Sequence, residues 1–245
     1  MHKAITHNLL FLLKACLYGL PDGDIMPMSQ HKWRVLREVA RQLNVLPYIL
    51  PYLEREEATG ADTFTRESIA NDCPLRDEPE YDASEAYLFN HWTNKRLLNI
   101  REEEMNSHNI SEDTLRLLDI LVMNIDSIIT RDVDVQGFMA LGMHMQRHSS
   151  GIDYEKLRLW IRRLGIVQIA SLEGNILVQA LGALPDDVPF IHNKQNNAGQ
   201  HFMRSIRRAL QKHSFSTSTR LNVAMLETVS YRFYKAITMV TDIEE

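Results

Sequence analysis

The sequence has few of the residues on which crosslinked or metal-bound small proteins depend. Cysteine occurs only twice in 245 residues, at Cys16 and Cys73, and Cys16 falls within an apolar helical pattern. Two cysteines cannot supply a disulfide framework or a zinc site of four thiolates. A chain of this length can bury a sizeable core without crosslinks. We therefore expect a cytoplasmic protein with neither a metal nor a cofactor.

Long hydrophobic runs are also missing. The apolar stretch at residues 9–13 is interrupted by Lys14, and no small-residue cleavage site follows it. This stretch is therefore predicted to be neither a signal peptide nor a membrane span. We expect no membrane association.

The common motifs of phosphate and acyl chemistry do not occur. The sequence contains no Walker loop, no Gly-x-Gly-x-x-Gly and no Gly-x-Ser-x-Gly. It therefore gives no support for a P-loop enzyme, a dinucleotide-binding domain or an α/β-hydrolase.

Apolar residues recur at helical spacing along nearly the whole chain, and no segment shows a strand period. We predict an all-α fold, a compact bundle of about eight to ten helices in a single domain, 1–245, with an N-terminal group at 1–109 and a C-terminal group at 110–245. The predicted helices cover approximately residues 9–20, 29–46, 82–107, 111–129, 138–148, 154–164, 166–181, 198–213 and 220–240. Residues 54–79 and 184–190 are predicted loops, and residues 102–104 are expected in solvent. The predicted core includes Leu13, Leu17, Trp33, Leu36, Phe89, Leu118, Trp160, Leu164, Leu177 and Phe202.

Charge is distributed unevenly. Residues 193–235 contain eight basic residues and one acidic residue, a balance of +7, so with a net charge of -5 the rest of the chain carries -12. A basic region can bind nucleic acid or an acidic protein surface, although it can also be a solvated helix face. The residues that would contact RNA are Arg204, Arg207, Arg208 and Lys212.

Three further sets of residues could carry chemistry. Arg208 and His213 fit the Arg-x4-His spacing of small helical ribonucleases, in which arginine holds phosphate and histidine transfers a proton. His144 and His148 are four residues apart, so both can face one side of a helix, but no third metal ligand accompanies them. We interpret the histidine pair as structural, and we keep Arg208 and His213 as an alternative catalytic pair.

Several blocks together suggest a family. Residues 137–148 (Gly-Phe-Met-Ala-Leu-Gly-Met-His-Met-Gln-Arg-His), 151–157 (Gly-Ile-Asp-Tyr-Glu-Lys-Leu) and 181–190 (Leu-Gly-Ala-Leu-Pro-Asp-Asp-Val-Pro-Phe) resemble the C-terminal helical part of bacterial nucleotidyltransferase-like proteins. Residues 12–19, 40–48 and 90–106 are similar to the opening helices of that family and to the helix before its catalytic sheet. The resemblance implies a helical fold around a nucleotide-transferring centre.

The sequence departs from this family where its chemistry would lie. Nucleotidyl transfer needs a Gly-Ser turn for the triphosphate and an Asp-x-Asp pair for two metal ions. The single such pair, Asp132-Val-Asp134, follows no Gly-Ser and lies between helical segments. We therefore predict a non-catalytic helical protein that binds another protein or assembles with itself, with RNA binding or ribonuclease activity as the alternative.

Overall fold

The computed structural model describes residues 2–19, 24–59, 81–83, 86–88, 90–130 and 135–192. Helices occupy 74% of these residues and no strand occurs among them, which confirms the predicted all-α class. The eight α-helices of the described part are α1 (His2–Tyr18), α2 (Gln30–Gln42), α3 (Leu46–Thr59), α4 (His91–Met105), α5 (Glu112–Thr130), α6 (Val135–Arg147), α7 (Tyr154–Leu164) and α8 (Val167–Ile176). The predicted helices at 198–213 and 220–240 lie outside the described residues.

Helix α1 is the centre of the bundle. It packs against α2, α3, α6 and residues 177–181. Its sequence is apolar on nearly every side, so it must be surrounded rather than laid on a surface. The buried side chains include Leu9, Leu10, Leu12, Leu13 and Leu17. The buried Asn8 is satisfied by one backbone partner: its Nδ2 donates to the Met26 carbonyl at 2.8 Å, and its Oδ1 accepts the Met26 N–H at 2.9 Å.

Local capping signals set several helix ends as predicted. Asp153 accepts the backbone N–H of Lys156 at the start of α7, and Gly165 ends that helix with a left-handed φ of 71°. Gly19 ends α1 in the same way, with a φ of 80°. Glycine adopts this conformation without a Cβ penalty, so these ends can be read from sequence.

Two boundaries in the N-terminal region differ from the prediction. Helix α2 ends at Gln42 rather than near residue 46, because Asn44 takes a left-handed φ of 55°. Ser29 is at the predicted N-cap position, but its side chain makes no capping hydrogen bond. Helix α3 then continues through Pro51 to Thr59, so the prediction of a loop from residue 54 is wrong for residues 54–59. A proline in a helix removes one backbone hydrogen bond, and burial of apolar residues on this helix offsets that loss, including Tyr48, Ile49, Tyr52 and Leu53.

The predicted helix at 82–107 is wrong in its first third. Residues 81–83 and 86–88 are not helical, and α4 begins only after Asn90, whose Oδ1 accepts the N–H groups of Trp92 and Thr93 at 2.9 and 3.1 Å. Apolar spacing alone suggested a longer helix, but a capping asparagine favours a start at its own position. The preceding segment is held instead by Arg101, which donates to the Ala86 carbonyl at 2.9 Å and pairs with Asp119 at 2.6 Å.

Glu104 is buried, although it was expected in solvent. Its Oε1 accepts Lys156 Nζ at 2.9 Å and the backbone N–H of Ser111 at 2.6 Å. Lys156 also donates to the Asn109 carbonyl at 3.1 Å. This network joins the end of α4 to the start of α5 and to α7.

The chain widens at the end of α8. Residues Leu177–Leu181 form a π-helical turn, and Gly182 follows with a φ of 92°. The loop after it, which contains the 3-10 turn Pro185–Asp187, closes over Gly174 of α8. A Cβ on Gly174 would lie 2.7 Å from Ile191 Cγ1, so this approach requires glycine.

Most of the predicted core residues that are described are buried, namely Leu13, Leu17, Leu36, Leu118, Trp160, Leu164 and Leu177. Trp33 is only partly buried, at the edge of the core. Phe89 and Phe202 lie outside the described residues.

Replacing Trp160 by alanine should lower the free energy of unfolding by about 3 to 5 kcal/mol, because truncating a buried tryptophan leaves a cavity. Trp160 is 8% exposed, and Lys156 Nζ lies 5.9 Å from its ring centroid. Urea denaturation would measure the change. The adjacent Leu159 is 62% exposed, so Leu159→Ala is the control and should cost less than about 0.5 kcal/mol. Equal effects of the two substitutions would contradict the assigned orientation of α7.

Candidate functional site

The residues on which the RNA and ribonuclease hypotheses depend lie outside the described part of the chain, these being Arg204, Arg207, Arg208, Lys212 and His213. Asp132 and Asp134 lie outside it as well. The hypotheses that concern these residues stay predictions.

The two histidines of α6 do lie together. Their rings stack with centroids 4.6 Å apart. Both bond to Asp113 at the start of α5: His144 Nε2 is 2.8 Å from its backbone oxygen, and His148 Nδ1 is 3.0 Å from its Oδ1. A Cβ on Gly151 would collide with the same carboxylate. Within the described ranges no three metal-binding side chains converge, and the contacts of this pair attach α6 to α5.

A fully buried carboxyl group lies deeper in the bundle. Glu173 of α8 has no exposed surface, and its Oε2 accepts Asn124 Nδ2 at 3.0 Å. Its Oε1 has no hydrogen-bond partner in the part of the chain that the structure describes. Burial raises the pKa of Glu173 well above its ordinary value, and the hydrogen bond from Asn124 only partly opposes this shift.

Asn124 connects this carboxyl group to the rest of the bundle. Its Nδ2 also donates to the Gly137 carbonyl at 3.3 Å, and its Oδ1 accepts the Tyr81 hydroxyl at 3.3 Å. A Cβ on Gly137 would collide with Asn124 Oδ1, so the amide occupies the space that a side chain would need. The buried cluster of Tyr81, Asn124, Gly137 and Glu173 thereby joins α5, α6 and α8 to the segment before α4.

This buried cluster can hold a neutral carboxyl group, but it has little of what an active site requires. Acid–base catalysis needs a group within reach of a substrate proton, and nucleophilic catalysis needs an accessible nucleophile. Glu173 is enclosed on all sides, and the other members of the cluster are an amide, a phenol and a glycine. Sequence analysis missed this residue, although a signal existed: Glu173 is the only charged residue between Arg163 and Asp186.

The exposed side of α4 carries large apolar side chains. Trp92, Leu98 and Met105 are 56%, 53% and 63% exposed, whereas Leu97 and Ile100 on the opposite side are fully buried. The exposed charged residues between them are Lys95 and Glu102. We call the set of Trp92, Lys95, Leu98, Asn99, Glu102 and Met105 the α4 face.

Comparison with known proteins adds no relative to this picture. No family model matches the chain, and neither the curated proteins nor the solved structures contain a match. Among the described helices, none combines the length and apolarity that crossing a membrane requires.

Replacing Glu173 by glutamine should flatten the pH dependence of stability. The raised pKa means that the folded protein holds a proton which the unfolded chain releases above about pH 4.5. The contribution of Glu173 to stability is therefore complete below that pH and is lost as the pH rises toward the folded-state pKa, by at most about 1.4 kcal/mol per pH unit. Thermal melts from pH 4 to 8 should show the variant gaining on the wild type as the pH rises.

The control for this measurement is Glu54→Gln on the exposed side of α3. Its melting curve should keep the pH dependence of the wild type. Parallel pH profiles for Glu173→Gln and the wild type would mean that Glu173 has the same proton affinity in both states.

Proposed function

We propose that this chain is a non-catalytic helical protein related to nucleotidyltransferase-like proteins, and that it acts by binding a protein through the α4 face. The observation that supports the proposal most directly is the exposure of Trp92, Leu98 and Met105 on one helix. Single exposed apolar residues are ordinary on protein surfaces. Three large ones on a single helix are a better reason to expect a partner.

The composition of the α4 face fits a protein interface. Tryptophan and methionine are enriched in interface cores, and tryptophan is prominent among the residues that dominate binding energy. Fully burying a large apolar side chain contributes roughly 1.5 to 3 kcal/mol. Trp92, Leu98 and Met105 together can therefore offset much of the entropy lost when two proteins associate.

The polar clusters of the described residues support a structural role for these groups. The stacked histidines bond to Asp113, Glu104 pairs with Lys156, and Glu173 bonds to Asn124. Each cluster joins helices, and none presents a nucleophile beside a base. For the RNA alternative, only the charge distribution of the sequence offers support.

The first test concerns nucleotide chemistry. Calorimetric titration with ATP or GTP in the presence of magnesium should give no binding heat, because the sequence lacks the Gly-Ser turn that would hold a triphosphate and the strands that would fix paired carboxylates. A thermal-shift scan should likewise show no stabilisation. Magnesium-dependent binding that disappears when Asp132 and Asp134 are both changed to asparagine would overturn the non-catalytic assignment.

The second test concerns the α4 face itself. A photoreactive amino acid at Leu98, introduced into the full chain in its native cells, should crosslink to protein on illumination, since Leu98 would lie at the centre of the interface. Mass spectrometry of the adduct would identify the second component. The matched control places the same amino acid at Arg34, an exposed position on α2, where we expect no specific adduct.

Equal labelling at residues 98 and 34, or no protein adduct at residue 98, would contradict a role of the α4 face in binding. Crosslinking to RNA at either position would favour the nucleic-acid alternative instead.

A further inference from the structure

We propose that the partner of the α4 face is α4 of a second copy of this chain, lying antiparallel across a two-fold axis between Leu98 and Asn99. This inference rests on the proposed function and names its partner. In a two-fold interface the same surface occurs on both sides, so that surface must complement itself. The α4 face does so in both charge and shape of the apolar contacts.

The charges of the α4 face are complementary when it is paired with itself. In an antiparallel pair centred between Leu98 and Asn99, a residue before the centre meets the residue equally far after it. Lys95 then lies opposite Glu102 of the second copy. Both side chains are exposed, and neither makes an ion pair within the described part of its own chain. The two-fold axis repeats the contact, which gives two ion pairs.

The same pairing joins the apolar residues. Trp92 lies opposite Met105 of the second copy at each end, and Leu98 contacts its symmetry mate near the axis. Methionine sulfur makes favourable contacts with aromatic rings. The exposed surfaces of these three side chains would be covered in one step, with no charged group left facing an apolar one.

The orientation of α4 in the bundle allows this contact. At 3.6 residues per turn, residues seven apart are nearly aligned, so Lys95 and Glu102 lie on one line of the helix. Leu98 and Met105 lie along one edge of that line, while Trp92 and Asn99 lie along the other. The line is directly opposite the buried side formed by Thr93, Leu97, Ile100 and Glu104. The surface that complements itself is thus centred on the side of α4 that faces away from the core.

The size of the contact sets its strength. One pair of four-turn helices covers less area than a standard interface of roughly 1,600 Å². We therefore expect weak, reversible dimerisation that depends on protein concentration.

Sedimentation velocity of the full chain, from micromolar to several hundred micromolar, should show a monomer–dimer equilibrium. Lys95→Glu or Glu102→Lys should each weaken dimerisation by about tenfold or more, because either one turns two attractive pairs into two repulsive pairs. The double variant Lys95→Glu/Glu102→Lys restores opposite charges and should recover most of the wild-type affinity. Added salt should reduce the difference between the single variants and the wild type.

The control is Arg34→Glu on α2, which makes a similar change of charge at an exposed position of another helix and should leave dimerisation unchanged. Circular dichroism of every variant should match the wild type. A wild-type chain that stays monomeric throughout, single variants that still dimerise normally, or a double variant that fails to recover would each overturn the proposal. A monomeric chain that still crosslinks to a different protein at residue 98 would refute self-pairing alone and leave the proposed function standing.

Discussion

The burial of α1 is the constraint on which the rest of the fold depends. This helix offers apolar side chains in nearly every direction, so a single neighbour cannot cover it. Helices from both halves of the chain must converge on it, and α2, α3, α6 and residues 177–181 do so. The other helices can then be understood by how they pack around this centre. Helix α4 is not among those that pack on α1 most closely, which leaves its outer side available to a partner.

Buried polar groups add specificity to this apolar arrangement. An unpaired polar group in a core costs about 1 to 3 kcal/mol, comparable to what burial of a leucine contributes. The buried side chains of Asn8, Glu104 and Asn124 each have a partner on another part of the chain. Their bonds tie helix ends, linkers and helix sides into one register, and a shifted packing would lose them. Glu173 differs, since one of its carboxyl oxygens has no partner among the described residues, and this explains why it favours the protonated form.

Sequence predicted best what short-range interactions decide. Helix α7 was predicted from Asp153 to Gly165 because its cap and its terminating glycine are local. The start of α4 was mispredicted because apolar spacing before Asn90 imitates a helix, while Arg101 holds that segment from elsewhere. The buried state of Glu104 and the pairing of Glu173 depend on partners 52 and 49 residues away, which no local pattern reveals. The α4 face escaped prediction because periodicity identifies the covered side of a helix and is silent about what the other side meets.

The π-helical turn at Leu177–Leu181 has a consequence for how this chain can change in evolution. A π turn is equivalent to one residue inserted into an α-helix. Deleting a residue there would restore regular winding, rotate everything after it by about 100° and shift it by about 1.5 Å. Gly182 would lose its alignment, and the loop that closes over Gly174 would point elsewhere. Substitutions at this turn can be absorbed one side chain at a time, whereas insertions and deletions cannot, so the length of this stretch should vary less among descendants of the sequence than its composition does.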